Sequence, residues 1–143
     1  MPRPGSQLRE LFGGIMTYTD LLKTIWTAVY DPKADTQQTI EKYFHHRYEQ
    51  SINGITLNRT EYIQHVMEQK KNMVINTIEY KHVLEKGNEL FALYYPKGKN
   101  NHNLPIEGEV IIYVRFEGQQ ILSMHGQVRL IKGELADVDM KNS

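Results

Sequence analysis

Hydrophobic positions in the first half of the chain recur at helical spacing, and in the second half they alternate. Leu21, Leu22, Ile25, Trp26 and Val29 fall on one face of a helix predicted over 18–30, with Thr17 or Thr19 placed to cap it and Asp31-Pro32 to stop it. A second helix starts near Asp35 or Thr36, buries Ile40, Tyr43 and Phe44, and frays at His45-His46. An extended piece, Tyr48 to Ile52, then turns at Asn53-Gly54. The third helix has the clearest start. Asn58 is its N-cap, Glu61 closes a capping box three residues on, and Leu57 and Tyr62 occupy the two positions of a hydrophobic staple. Its apolar stripe is Tyr62, Ile63, Val66, Met67 and Met73, with Gln64, Glu68, Gln69 and Lys71 facing water.

From Thr77 the period changes to two. Ile78, Tyr80, His82 and Leu84 alternate with polar residues, and Lys86-Gly87-Asn88 turns the chain into a strand over 90–95. Pro96 to Pro105, with glycine, lysines and asparagines, reads as a polar loop. Val110, Ile112, Val114 and Phe116 then alternate with Glu109, Ile111, Tyr113 and Arg115, and Glu117-Gly118-Gln119 leads into a last strand from Ile121 to Ile131. One face (Ile78, Tyr80, His82, Leu84, the Val110 set, Leu122 and Met124) is apolar enough to meet the helices. The opposite face is mixed. Ile111 and Tyr113 at its centre fit either a homodimer interface or a solvated face with two stray apolar residues. Gly126 is placed to mark a bulge, which leaves the facing of Gln127 and Arg129 open. Helices that give way to strands imply an α+β fold, a curved antiparallel sheet packed against three N-terminal helices, and such a layer encloses a pocket.

The 143 residues suit a single domain, read here as 16–135. Residues 1–15, with two prolines and three glycines, read as a flexible leader or as residues ahead of a biological start at Met16, and 136–143 as a polar tail. Cysteine is absent, which excludes disulfides, thiolate metal sites and a cysteine nucleophile, and fits a reducing compartment. Acidic and basic side chains balance at 17 each, so the positive field that non-specific nucleic-acid binding draws on is missing. Without a long apolar segment or a signal peptide, no membrane association is expected and the cytoplasm is the expected compartment.

General acid–base chemistry needs a partly buried ionisable group within reach of substrate. His65, on the helix that covers the sheet, and His82, on the inner face, are candidate catalytic groups beside Tyr94, and each also fits a structural role. Tyr48, Tyr80 and Tyr94 suit a pocket wall, because an aromatic with a polar tip lines an apolar space while its hydroxyl orients a ligand. Gln50, Met124 and Arg129 complete the candidate ligand-binding set, although a salt bridge from Arg129 to Glu109 or Glu134 is the simpler reading of that side chain. The histidine spacings match no helical zinc pair, so no metal and no cofactor are expected.

Tyr43-Phe44, Tyr48-Glu49-Gln50 followed by Asn53-Gly54, Leu57 leading into the helix with His65, and Arg129-Leu130-Ile131-Lys132-Gly133 together resemble the nuclear transport factor 2-like superfamily, and within it the SnoaL-like branch of small bacterial proteins. The resemblance spans roughly Tyr18 to the C-terminus. It implies a cone-shaped α+β barrel with a cavity between sheet and helices, commonly as a homodimer. The superfamily includes ketosteroid isomerases, polyketide cyclases and dehydratases as well as non-catalytic binding and transport proteins, and its catalytic members use an Asp, His or Tyr inside the cavity. This chain lacks the acidic residue of relatives near Gly126 and has Tyr94 where relatives carry a histidine. The expected function is binding of a small apolar molecule in a tyrosine-lined pocket. The alternatives are an isomerase, cyclase or dehydratase acting next to a carbonyl through Tyr48, His65, His82 or Tyr94, and a protein-interaction module using the outer sheet face.

Overall fold

The computed structural model describes residues 16–140, so the leader read over 1–15 and the end of the polar tail lie outside the described residues. Among the described residues the elements are α1 (Tyr18–Val29), α2 (Thr36–Tyr43), β1 (Phe44–Ile52), β2 (Ile55–Asn58), α3 (Arg59–Asn72), β3 (Met73–Lys86), β4 (Glu89–Asn100), β5 (Pro105–Glu117) and β6 (Gln120–Lys132). The strands form one curved, unclosed sheet in the order β2-β1-β6-β5-β4-β3, with the helices packed inside the curve. This is the expected α+β cone. It is not wholly antiparallel, because β1 runs parallel to β6. No hairpin joins those two strands; α3 and four other strands separate them, and turn geometry therefore does not dictate their direction.

The helix starts follow from side chains that satisfy free amides. Thr17 accepts from the Asp20 amide (3.0 Å), Asp35 from the Gln38 amide (2.9 Å), and Asn58 and Glu61 form the expected capping box. A tertiary cap adds to the first: the Glu85 carboxylate of β3 accepts from the Tyr18 amide (3.2 Å) and from the amide and hydroxyl of Thr19 (2.9 Å each), placing negative charge at the positive end of α1. Tyr18 then stacks on Phe116, with ring centroids 4.3 Å apart. Leu22, Ile25, Trp26 and Val29 of α1 join Phe44, Val66, Val114 and Ile121 in one core.

Three sequence expectations need correction along the helices and tail. Phe44 opens β1 instead of ending α2, so no frayed turn precedes the strand. In α3 the buried stripe is Tyr62, Ile63, Val66 and Gln69, while Met67 is exposed. Gln69 tolerates burial because both ends of its amide are bonded: Oε1 accepts from the Tyr30 hydroxyl (3.2 Å) and Nε2 donates to the Val138 carbonyl (2.9 Å). That second bond ties down part of the segment read as a polar tail. Leu135–Val138 form a 3-10 turn whose Val138 is buried with Met73 and Ile106.

The strands are longer than their alternation predicts. β3 begins at Met73, and β4 continues through Pro96 to Asn100, so residues 101–104 alone form the connection read as a ten-residue loop. Its asparagines are structural. Asn100 Oδ1 accepts from the His102 and Leu104 amides (2.9 and 3.0 Å), and Asn101 donates to the carbonyls of Lys71 and Asn72 at the open end of α3 (2.7 and 3.1 Å).

Bulges decide which side chains face inward. An extra residue between Tyr80 and His82 inverts the alternation of β3, so Tyr80 and Val83 pack against the core while His82 and Leu84 point outward, Leu84 being 74% exposed. An extra residue at Leu122 likewise gives the inner position to Ile121. Gly126, by contrast, pairs in register with Ile112, and alternation runs on unbroken, with Val128 facing the core and Gln127 and Arg129 exposed. Its role is close approach: a Cβ at Gly126 would stand 2.2 Å from the Ile111 carbonyl oxygen, and one at Gly98 would stand 1.8 Å from that of Val74. Beside this bend Asn53, at φ 53°, substitutes for strand backbone, its side chain donating to the Val128 carbonyl (3.0 Å) and accepting from the Val128 amide (2.9 Å).

On the outer face Leu84, Phe91, Tyr113 and His125 form a row across four strands, and Phe91 and Ile111 are 56% and 55% exposed. Among the described residues no helix is long and apolar enough to cross a membrane. Substituting Gly126→Ala forces backbone to move in two strands, so urea denaturation is expected to show a loss of about 2–3 kcal/mol with the m-value retained. A loss below about 0.5 kcal/mol would show that the bend does not need the missing Cβ.

Candidate functional site

A cavity of about 520 Å³ lies between the concave face of the sheet and helices α1 and α3, within the range usual for small-molecule sites. Trp26 of α1 and Tyr30 just after it, Tyr62 and Gln69 of α3, and Gln50, Tyr94, Val110, Ile112, Met124 and Val128 of the sheet line it. Most of this wall is apolar because it is the inner, alternating face of strands that bulges and Gly126 bend around the helices.

The structure separates the sequence candidates into two groups. Gln50, His65, Tyr94 and Met124 line the cavity; Tyr48, Tyr80, His82 and Arg129 do not. Tyr48 is buried behind the wall and donates to Gln50 Oε1 (2.7 Å), which leaves the Gln50 amide nitrogen as the donor end. Tyr80 stands beyond Tyr94, ring centroids 5.6 Å apart, with the Lys23 ammonium 5.0 Å from its own ring centroid. His82 is turned out by the bulge after Tyr80. Arg129 is on the outer face, its Nε donating to Glu109 (3.2 Å).

Sequence reasoning missed most of the cavity wall, including its other aromatic and polar side chains. Trp26, Tyr30 and Tyr62 lie on helical stripes that any core-facing helix would have, and Gln69 carried no signal of burial. Asp139 was assigned to the tail. The 3-10 turn ends there in the left-handed conformation (φ 53°), and its carboxylate accepts a hydrogen bond from His65 Nδ1 (2.9 Å). Both residues border the cavity. Because the carboxylate fixes the proton on Nδ1, Nε2 is the nitrogen left with a lone pair in the neutral ring.

Electrostatically the inner end is neutral. Burial pushes the Tyr30 phenol up to about 12 and those of Tyr48, Tyr62 and Tyr94 well above the usual range, with repulsion among their ionised forms adding to the shift. These hydroxyls therefore donate and accept hydrogen bonds without serving as bases near neutral pH. The Trp26 indole N–H is buried near the Tyr94 ring, centroids 6.5 Å apart, and has no hydrogen-bond partner among the described residues. Among the described lining residues the carboxylates are Glu61, Glu68 and Asp139, all solvent-exposed and so placed at the mouth. Among the described residues no group of three or more His, Asp or Glu side chains is placed to hold a metal ion.

No family model and no curated protein matches this sequence. Solved structures match the backbone. A candidate isomerase from Rhodopseudomonas palustris has a TM-score of 0.64 at 9% identity, covering 76% of this chain and 85% of that one. A candidate polyketide cyclase from Streptomyces antibioticus also has a TM-score of 0.64 at 9% identity, over 79% and 92% of the two chains. A nuclear transport factor 2-like protein of unknown function from Cytophaga hutchinsonii has a TM-score of 0.55 at 16% identity, over 83% and 94%. At these identities the likeness resides in the path of the backbone, and that path, a curved sheet closing over three helices, gives this chain the nuclear transport factor 2-like fold.

Proposed function

We propose that this protein binds a compact, largely apolar small molecule in the cavity between its sheet and helices. The observation that carries the reading is the composition of the wall: aliphatic side chains and neutral tyrosines around about 520 Å³, with the carboxylates of the described residues at the mouth. An apolar body gains from leaving water there, and Gln50 and Tyr94 supply polar atoms that fix its orientation. Trp26, the chain's single tryptophan, stands in the wall and reports on occupancy. A panel of neutral ring compounds is expected to yield ligands that quench Trp26 fluorescence and raise the melting temperature together, stabilising the fold by about 2.7 kcal/mol at a hundredfold excess over Kd. A panel that changes neither signal would remove this reading.

One observation favours a second reading, acid–base catalysis next to a carbonyl. The His65–Asp139 pair is a proton acceptor with a carboxylate orienter on the cavity wall, and isomerase and cyclase descriptions attach to neighbours of this fold. Fold alone does not carry activity across. With 2-tetralone in D₂O, proton exchange next to the carbonyl is expected to accelerate with the native protein. It should fall by roughly 10²–10⁴-fold in His65→Gln and less in Asp139→Asn. Exchange that is unchanged by His65→Gln would exclude this pair.

The outer face suggests a second copy of the chain as partner. Leu84, Phe91 and Ile111 expose apolar surface in adjoining rows of the sheet, the arrangement a self-complementary interface uses. Ile111→Lys is expected to convert a dimer to a monomer in light scattering; an assembly state unaffected by that charge would count against this face.

A further inference from the structure

We infer that the cavity selects its ligand by charge, taking a tertiary or quaternary organic ammonium and refusing a carboxylate of the same shape. This rests on the small-molecule reading above and narrows it to a ligand class. The first ground is the charge of the wall: among the described residues no lysine or arginine lines the cavity, whereas Glu61, Glu68 and Asp139 do. An anion entering this space finds no cation to replace its hydration, and burial of an unpaired carboxylate is costly.

The second ground is how the carboxylates are placed. Glu61, His65 and Glu68 follow one another at intervals of four and three residues, so a single face of α3 carries both glutamates to the mouth, with the His65–Asp139 pair between them. Glu68 is offset by Lys71 at 2.8 Å. Glu61 accepts from the Asn58 amide and has no counter-cation among the described residues, and Asp139 is bonded to His65 Nδ1. Among the described residues the three carboxylates at the opening outnumber the cations that meet them.

Aromatic rings supply the third ground, and they belong to the wall itself. Trp26 stands between Tyr30 and Tyr94, with centroids 6.2 and 6.5 Å away and planes tilted by 49° and 41°, so the three rings turn around one corner of the cavity instead of stacking flat. Tyr62 lines the space beside them. Trp26 lines the cavity together with both of these tyrosines, so the aromatic corner belongs to the surface a ligand meets. The phenols stay protonated, so they meet a cation through ring faces and oxygen lone pairs. An alkylammonium carries its charge on a surface of methyl or methylene groups, and a space with aliphatic walls, π faces and an acidic entrance satisfies both properties.

The test uses three probes of one shape: benzyltrimethylammonium, its neutral carbon counterpart neopentylbenzene, and the anion 2,2-dimethyl-3-phenylpropanoate. Titrated against Trp26 fluorescence, the ammonium is expected to bind at least tenfold more tightly than the neutral compound, with the anion weakest. Neutralising the mouth by Glu61→Gln, Glu68→Gln and Asp139→Asn together, where glutamine can keep the capping box of α3, should weaken the ammonium several-fold and leave the neutral probe unchanged. Tyr94→Leu, which removes one ring from the wall, should weaken the ammonium by a larger factor than the neutral probe. Equal or tighter binding of the neutral compound overturns the charge selection while sparing the small-molecule reading. Tight binding of the anion also overturns it, and failure of all three probes removes the ammonium site itself.

Discussion

Two places where main chain must approach main chain hold this architecture together. At Gly98 and Gly126 the neighbouring strand lies so near that no side-chain carbon fits, and it is there that the sheet can bend far enough to wrap α1 and α3. With a flatter sheet the same alternating residues would press directly onto the helices and no cavity would remain. The bulges in β3 and β6 act with the glycines, because each adds twist and also reassigns which residues face the helices. Curvature and wall composition thus have one cause.

The polar groups inside the cone follow a second rule, that a buried donor or acceptor is kept by giving it a partner. Tyr48 holds Gln50, Tyr30 holds Gln69, and Gln69 holds the carbonyl of Val138. The last bond reaches from a helix to the segment after β6 and so positions Asp139 against His65. A chain of local satisfactions, starting at the tyrosine that caps the end of α1, ends by setting the mouth of the cavity.

Much of this architecture was legible from residue patterns. The helix starts were, because Thr17, Asp35 and Asn58 act through local chemistry that depends on a few neighbours. Also legible were the β5 pattern of Val110, Ile112, Val114 and Phe116 and the turn at Asn53-Gly54. His82 and Leu84 were misplaced because a bulge is a property of two strands pairing, and alternation in one of them cannot reveal it. The asparagine-rich connection looked loose because its bonds run to Lys71 and Asn72, distant in sequence. For the site the division is the same: Met124 could be found from facing, whereas Asp139 follows a turn held to α3 by the bond from Gln69 to the Val138 carbonyl, a contact between residues distant in sequence.

The irregularities of β3 have one more consequence. β3 is an outermost strand of the sheet, fourteen residues long, and its unpaired amides and carbonyls would offer a template to any extended chain in solution. Two register shifts break that template into short pieces with different twist, and Glu79 and Lys81 add charge along it. The distortions that shape the hollow on one side therefore also protect the rim of the sheet against edge-to-edge aggregation.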